Sequence, residues 1–369
     1  MGEDEFLQRC GRFLLLERVA AGGMGEIFRG KAAGTGGRIV AIKRLLPQAK
    51  DDPVFVGMFI DEARVAQALN HPNIARLYEF VDDQGSYFLA MEWVDGASLY
   101  EVLEGLKQEG DAMPVDQASR IFAVIAGALD YVHSRVTAEG EPLHLVHRDV
   151  SPSNVMITLD GQPKLLDFGL AKARIQLQKT QPGFVKGKFG YLAPEQLEGQ
   201  VDHRTDLFAL GLCFFETLTG QKLFDRPSPA DTVKAIRDYR EAPSAHAVRS
   251  DVPEALDEVF KKMLARKPDE RYQSGAELRK AIESALPALT RTAADLDAAN
   301  GSLVGRLYPE RMLERSASGK KRRKSSAAQE EAPPLTPVEK QWRLALWIGT
   351  GVLLLLLLVI LSSGRSCGD

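Results

Sequence analysis

The stretch DLFALGLCFFETLTG, residues 206–220, is apolar nearly all round when wound as a helix. A helix of that kind belongs in the middle of a core. The chain therefore needs a helical lobe large enough to surround it, and its 369 residues suffice for one large domain plus extras. SRIFAVIAGALDYVHS, residues 119–134, is a second clear helix of that lobe. The amino-terminal part is patterned differently. FLLLERVA, EIFRGKA and RIVAIKRLL are β-branched and apolar runs separated by glycines, as strands are. Residues 53–70 carry Phe59, Ala63, Val65, Ala66 and Leu69 at helical spacing, and YFLAMEWV reads as another buried strand. The expected shape is an α+β fold of two lobes, a small β-rich one followed by a large helical one.

Composition divides the chain further. Residues 11–286 read as folded. Residues 287–343 read as a juxtamembrane region, helical in pieces at first and then a charged, proline-bearing linker containing SASGKKRRKSSAAQEEAPPLTP. LALWIGTGVLLLLLLVIL, residues 344–361, follows without a charge. A helix of that length spans roughly 27 Å, about the thickness of a bilayer core, so one carboxy-terminal transmembrane helix is expected. Lys320 to Lys324, Lys340 and Arg343 lie before it and only Arg365 after it. The excess of positive charge places the folded domain in the cytoplasm and residues 362–369 outside, as a short tail. The basic run reads equally as a contact for anionic lipid or as a solvated charge cluster.

The net charge of −3 gives no bias toward nucleic acid. Cys10, Cys213 and Cys367 are too far apart for a metal motif or a disulfide framework, which suits a reducing compartment. MGEDEFLQRC lacks the apolar core of a signal peptide, and Phe6 stands where a myristoylation signal needs Ser or Thr.

Several short motifs carry chemistry. Val19-Ala20-Ala21-Gly22-Gly23-Met24-Gly25-Glu26-Ile27 lies between two expected strands. Glycines there would let backbone N–H groups approach phosphate oxygens; a plain flexible turn is the alternative. Ala20 stands where a G-x-G-x-x-G pattern has its first glycine. Val40-Ala41-Ile42-Lys43 ends an apolar strand on a cation, a costly arrangement unless an anion meets it. Glu62, on the following helix, is a partner for Lys43, although Asp61 stands beside it. Further along come His147-Arg148-Asp149-Val150-Ser151-Pro152-Ser153-Asn154, then Asp167-Phe168-Gly169, then Ala193-Pro194-Glu195.

In order and spacing these motifs resemble the protein-kinase signature set, over residues 13–286, and in detail a bacterial serine/threonine kinase with a eukaryotic-type domain. The resemblance implies an ATP pocket built from Val19, Ala20, Gly22, Gly23, Gly25, Ile27, Ala41, Lys43, Met91, Glu92 and Val94. Met91 would gate the adenine pocket, and the backbone of Glu92 and Val94 would meet the adenine edge. Glu62 would position Lys43, Asp149 would accept the substrate hydroxyl proton, and Asn154 and Asp167 would hold Mg²⁺. ATP and protein substrates are the implied partners, with nucleic acid excluded. The expected location is the bacterial inner membrane, spanned once, where a homodimer would permit trans-phosphorylation. Asp206 would brace the catalytic loop and Glu195 would pair with Arg271.

Two positions depart from the serine/threonine pattern. Ser151 replaces the lysine that usually follows the catalytic Asp by two residues, and Lys188 replaces a threonine five residues before Ala193. These two side chains sit together in the family, so Lys188 is expected to reach Asp149 and the γ-phosphate as a catalytic residue. A solvated, peptide-binding charge is the alternative. Arg148 suggests control by loop phosphorylation, with Thr180 the candidate site, because Tyr191 is the only other hydroxyl between Asp167 and Glu195. Residues 134–146 form an insertion whose centre, TAEGEP, reads as a surface hairpin or loop. Two other readings stay open: a pseudokinase scaffold, supported by Ala20 and Ser151, and a tyrosine-specific kinase, supported by the changes at 151 and 188.

Overall fold

The computed structural model describes residues 8–22, 25–33, 37–137, 139–167, 188–286, 291–313 and 315. In the small lobe, β1 (Gln8–Cys10), β2 (Phe13–Ala21), β3 (Gly25–Ala32) and β4 (Ile39–Leu45) run antiparallel in sequence order. β5 (Leu77–Asp83) and β6 (Ser86–Glu92) complete a six-stranded sheet in the order β1-β2-β3-β4-β6-β5. Alternation along β3 and β4 sorts the side chains. Phe28, Val40 and Ile42 join Phe13, Leu15 and Phe88 in a core on one face, which leaves Ala41 and Lys43 to the other.

Helix α1 (Pro53–Gln67) covers that other face. Asp52 caps it by accepting from the Val54 N–H, and Pro53 fits its first turn. Its buried positions are Met58, Phe59, Glu62 and Ala63, one stripe of the helix. A carboxylate thus lies among apolar groups, which requires a partner.

The large lobe begins with β7 (Gly96–Ser98), α2 (Leu99–Glu109) and α3 (Val115–His133). The strands β8 (Val155–Thr158) and β9 (Pro163–Leu165) pair with β7 in a three-stranded sheet. Then come α4 (His203–Thr219), α5 (Pro229–Asp238), α6 (Ala245–Val248), α7 (Glu254–Met263) and α8 (Gly275–Ala285). Every residue of α4 from Thr205 to Leu218 is buried, as its apolar circumference demands. Phe214 stacks on Phe122 with ring centroids 4.6 Å apart and meets Phe260, tilted, at 5.0 Å. Each such side chain contributes about 1.5–3 kcal/mol of burial.

The insertion after α3 is a tight hairpin. Val136 bridges Pro142, and the Thr137 N–H donates to the Glu141 carbonyl at 2.8 Å.

A last helix, α9 (Ala293–Leu307), packs against the large lobe. The packed body thus runs past residue 286, where the sequence reading ended it. Leu296, Leu303 and Val304 do make a buried stripe, but Asp297 and Asn300 are buried within it and mask its apolar pattern. Asp297 is neutralised there by Arg120, bonded at 2.9 and 3.0 Å. Among the described residues no helix is long and apolar enough to cross a membrane. Residues 344–361 lie outside the described residues.

Candidate active site

The cleft between the lobes is built by short-range register. Lys43 pairs with Ile27 on one side and Leu89 on the other. Gly25, at the start of β3, lies beside Leu45; a Cβ there would come within 2.7 Å of the Arg44 carbonyl, so only glycine lets the two strands close. The Gly22 N–H donates to the Gly25 carbonyl at 2.8 Å and closes the turn. Ala20 lies opposite Ile27, and a bulge between Arg18 and Ala20 leaves Val19 52% exposed. Gly23 lies outside the described residues.

Glu62 reaches from α1 to the Lys43 ammonium. The Asp167 carboxylate lies 3.7 Å from the same nitrogen, so Lys43 joins the two lobes. Burial works against the charged form of Lys43, but the two carboxylates overcome it and hold its pKa above the ordinary value.

Asn154 directly precedes β8, and Asp167 follows β9 by two residues. Because Val155 pairs with Leu165, both arrive at the same end of the hairpin. The Asn154 Nδ2 donates to the Asp149 backbone carbonyl at 2.7 Å and to its carboxylate at 2.6 Å. Asp149, Asn154 and Asp167 therefore form one wall. The Asn154 amide oxygen and the Asp167 carboxylate are hard donors of the kind Mg²⁺ takes, near a site for phosphate. Asp167 has a φ of 43°, a left-handed backbone that a non-glycine residue adopts only under constraint.

Asp206 organises the catalytic loop. Its carboxylate accepts the N–H of His147 at 2.7 Å and of Arg148 at 2.8 Å. Arg148 is itself left-handed, with φ 67°, and this bond holds it there. His133 also bonds Asp206, at 2.8 Å. Burial opposes the Asp206 charge, but the His133 hydrogen bond and its neighbours outweigh it and keep the pKa low. The His147 Nε2 faces the Leu166 carbonyl at 2.8 Å, which can only accept, so Nε2 carries the proton. Burial lowers the His147 pKa, in keeping with a neutral ring.

Met91 and Ala41 are register partners in the adenine-side wall expected from sequence. Glu92 gives its N–H to the Arg76 carbonyl at 2.8 Å, which fixes the end of β6. Val94 follows β6 and is half-buried. Lys188 heads the short turn Lys188–Tyr191, but its side chain lies outside the described residues. Phe168, Gly169 and Thr180 also lie outside them. The structure thus brings Lys43, Glu62, Asp149, Asn154 and Asp167 together.

Ser151 is 3% exposed and its hydroxyl has no hydrogen-bond partner among the described residues; neither does the Arg148 Nε. Both residues line a small cavity with Asp149, Tyr191, Gln196 and Thr205. Sequence reasoning did not single out His133 at all. A histidine closing a buried helix was the available signal.

The protein kinase domain model matches residues 13–282. The chain belongs to the protein kinase domain family. It is 40% identical over 283 residues to the tyrosine-protein kinase MasK of Myxococcus xanthus, covering 76% of this chain and 44% of that protein. To the serine/threonine-protein kinase PknD of Mycobacterium tuberculosis it is 36% identical over 281 residues, covering 75% and 40%. The kinase thus spans less than half the length of these curated relatives. The crystal structure of the PknI kinase domain of Mycobacterium tuberculosis superposes with a TM-score of 0.58 at 28% identity, over 76% of this chain and 98% of that one. That likeness and the family match agree on the bilobal kinase fold.

Proposed function

We propose that this protein is a membrane-anchored kinase that transfers the γ-phosphoryl group of ATP to serine or threonine hydroxyls of proteins. The observation that carries this is Lys43, held between Glu62 and Asp167 opposite the Asp149–Asn154 pair. Lys43 binds the α- and β-phosphates, and Glu62 keeps its ammonium aimed at them. Asn154 and Asp167 supply oxygens for Mg²⁺, which when bound neutralises charge on the β- and γ-phosphates. Asp149, fixed by Asn154, accepts the substrate hydroxyl proton and aims the oxygen in line with the phosphorus. Lys188 adds charge near Asp149 in place of the lysine that Ser151 displaces. The unpartnered Arg148 Nε suits a phosphate on Thr180, so autophosphorylation there orders the active state. Residues 344–361 span the bacterial inner membrane once, with the kinase in the cytoplasm and homodimers phosphorylating in trans.

The test is labelled ATP with Mg²⁺ on the full chain and on Asp149→Asn. Loss of the general base should lower transfer by about 10²–10⁴-fold. Undiminished transfer by Asp149→Asn would end this reading, and phosphosite mapping examines Thr180. Deletion of residues 344–369 should release the kinase from membranes.

A second reading is favoured by one observation. Ser151, not a lysine, lines the pocket beside Asp149 among the described residues, as suits the tyrosine-protein kinase MasK that the chain resembles. Phosphoamino-acid analysis separates tyrosine transfer from serine/threonine transfer.

A further inference from the structure

The described chain beyond α9 crosses from the large lobe to the segment that follows the adenine-facing backbone. The Tyr308 hydroxyl donates to the Glu101 carbonyl at 2.6 Å. Arg311 donates through Nη1 to the Gly96 carbonyl at 2.5 Å and through Nη2 to the Glu101 carboxylate at 2.6 Å. Its guanidinium also lies 4.6 Å from the Tyr308 ring centroid. The same Glu101 carboxylate accepts the Ser98 N–H at 2.7 Å and its hydroxyl at 2.8 Å, which caps α2. Burial raises the Glu101 pKa, yet the Arg311 and Ser98 bonds outweigh it and hold the carboxyl ionised.

Gly96 has no slack. A Cβ there would lie 2.1 Å from the Ile157 carbonyl, and the Asp95 carbonyl is taken by the Leu159 N–H at 2.9 Å. The peptide two residues after Val94 is therefore fixed by β8 on one side and by Arg311 on the other. The other tail cations attach elsewhere: Arg306 to Glu109, and Arg315 to Asp160 at 2.7 and 2.9 Å.

We propose that Arg311 is a positioning residue for the nucleotide, holding the backbone after Val94 so that tail docking and ATP binding reinforce each other. The inference rests on the ATP-dependent reading above. A charge-assisted bond to a carbonyl next to the adenine wall sets the direction in which Glu92 and Val94 present their backbone groups. Coupling is reciprocal: whatever docking contributes to ATP affinity, ATP returns to docking. Because residue 315 leads into the linker and the apolar segment, unlatching the tail would weaken nucleotide binding.

The test measures Kd for a non-hydrolysable ATP analogue with Mg²⁺ on the full chain, by calorimetry. Arg311→Ala should weaken binding by about three- to tenfold, with Arg311→Lys recovering part. Arg315→Ala removes only the contact with Asp160, keeps the Arg311 latch on Gly96 and should leave Kd unchanged. Transfer at saturating ATP should persist in Arg311→Ala, splitting KM from kcat. In the wild type the analogue should slow hydrogen exchange at residues 308–313. An unchanged Kd in Arg311→Ala, an equal loss in Arg315→Ala, or no added protection overturns the proposal. If Arg311→Ala does not fold, the exchange measurement decides alone. A wild-type chain that binds no analogue overturns both this inference and the ATP-dependent reading; one that binds it as tightly as Arg311→Ala overturns this inference only.

Discussion

Glu62 on α1 and Lys43 on β4 meet as an ion pair whose side chains are only 6% and 13% exposed. The pair ties a helix to a sheet, and through Asp167 it ties the small lobe to the large one. Any movement of α1 therefore moves the cation proposed to receive phosphate.

Glu62→Gln should leave nucleotide binding measurable but lower kcat/KM for ATP by about ten- to hundredfold, the equivalent of one charge-assisted hydrogen bond. Steady-state kinetics with Mg²⁺ and a protein substrate check this. Rates within twofold of wild type would remove Glu62 from the machinery.

Arg271 is fully buried and bonds the Glu195 carboxylate at 2.6 and 2.8 Å. Its guanidinium also donates to the carbonyls of Ala265, Arg204 and Arg266 and lies over Phe208. Arg271→Met strands a buried carboxylate and should cost about 3–5 kcal/mol, lowering Tm by roughly 10 °C. Arg271→Lys should rescue little, because one ammonium cannot reach these acceptors together. Thermal unfolding decides.

Acid should act through Asp206. Its folded pKa is depressed, so the stability it contributes is fully present above the unfolded value of about 3.9 and is lost as pH falls through the folded pKa. Asp206→Asn should be destabilised at neutral pH, and the gap to wild type should narrow below about pH 4. Denaturant titrations across pH measure it, and a gap that stays constant would show that the charge contributes nothing.

The convergence of the cleft residues was legible because each lies in a short motif whose local geometry is almost fixed by its own length. Lys43 ends a strand two positions from Ala41, and Asn154 and Asp167 flank one hairpin. Glu62, chosen over Asp61 on the family resemblance, shares the buried stripe of α1 with Met58 and Phe59. The tail was harder to read. Thr292 and Asp295 do form a capping box, a signal present in the sequence. But Asp297 and Asn300 interrupt the apolar stripe, and Arg120, the partner of Asp297, stands far away in the chain. Contacts such as Arg311 to Gly96 have no sequence signature at all, since a carbonyl acceptor looks the same at every residue.

Gly161, in the turn between β8 and β9, has a φ of 78°, and a Cβ placed on it would fall 1.6 Å from the Asp297 carbonyl. Helix α9 thus rests on a spot where only a hydrogen atom fits. One codon change at that glycine would prise α9 from the large lobe while leaving every cleft residue in place. The seating of this last helix and the make-up of the cleft are accordingly separable by the smallest step available to evolution.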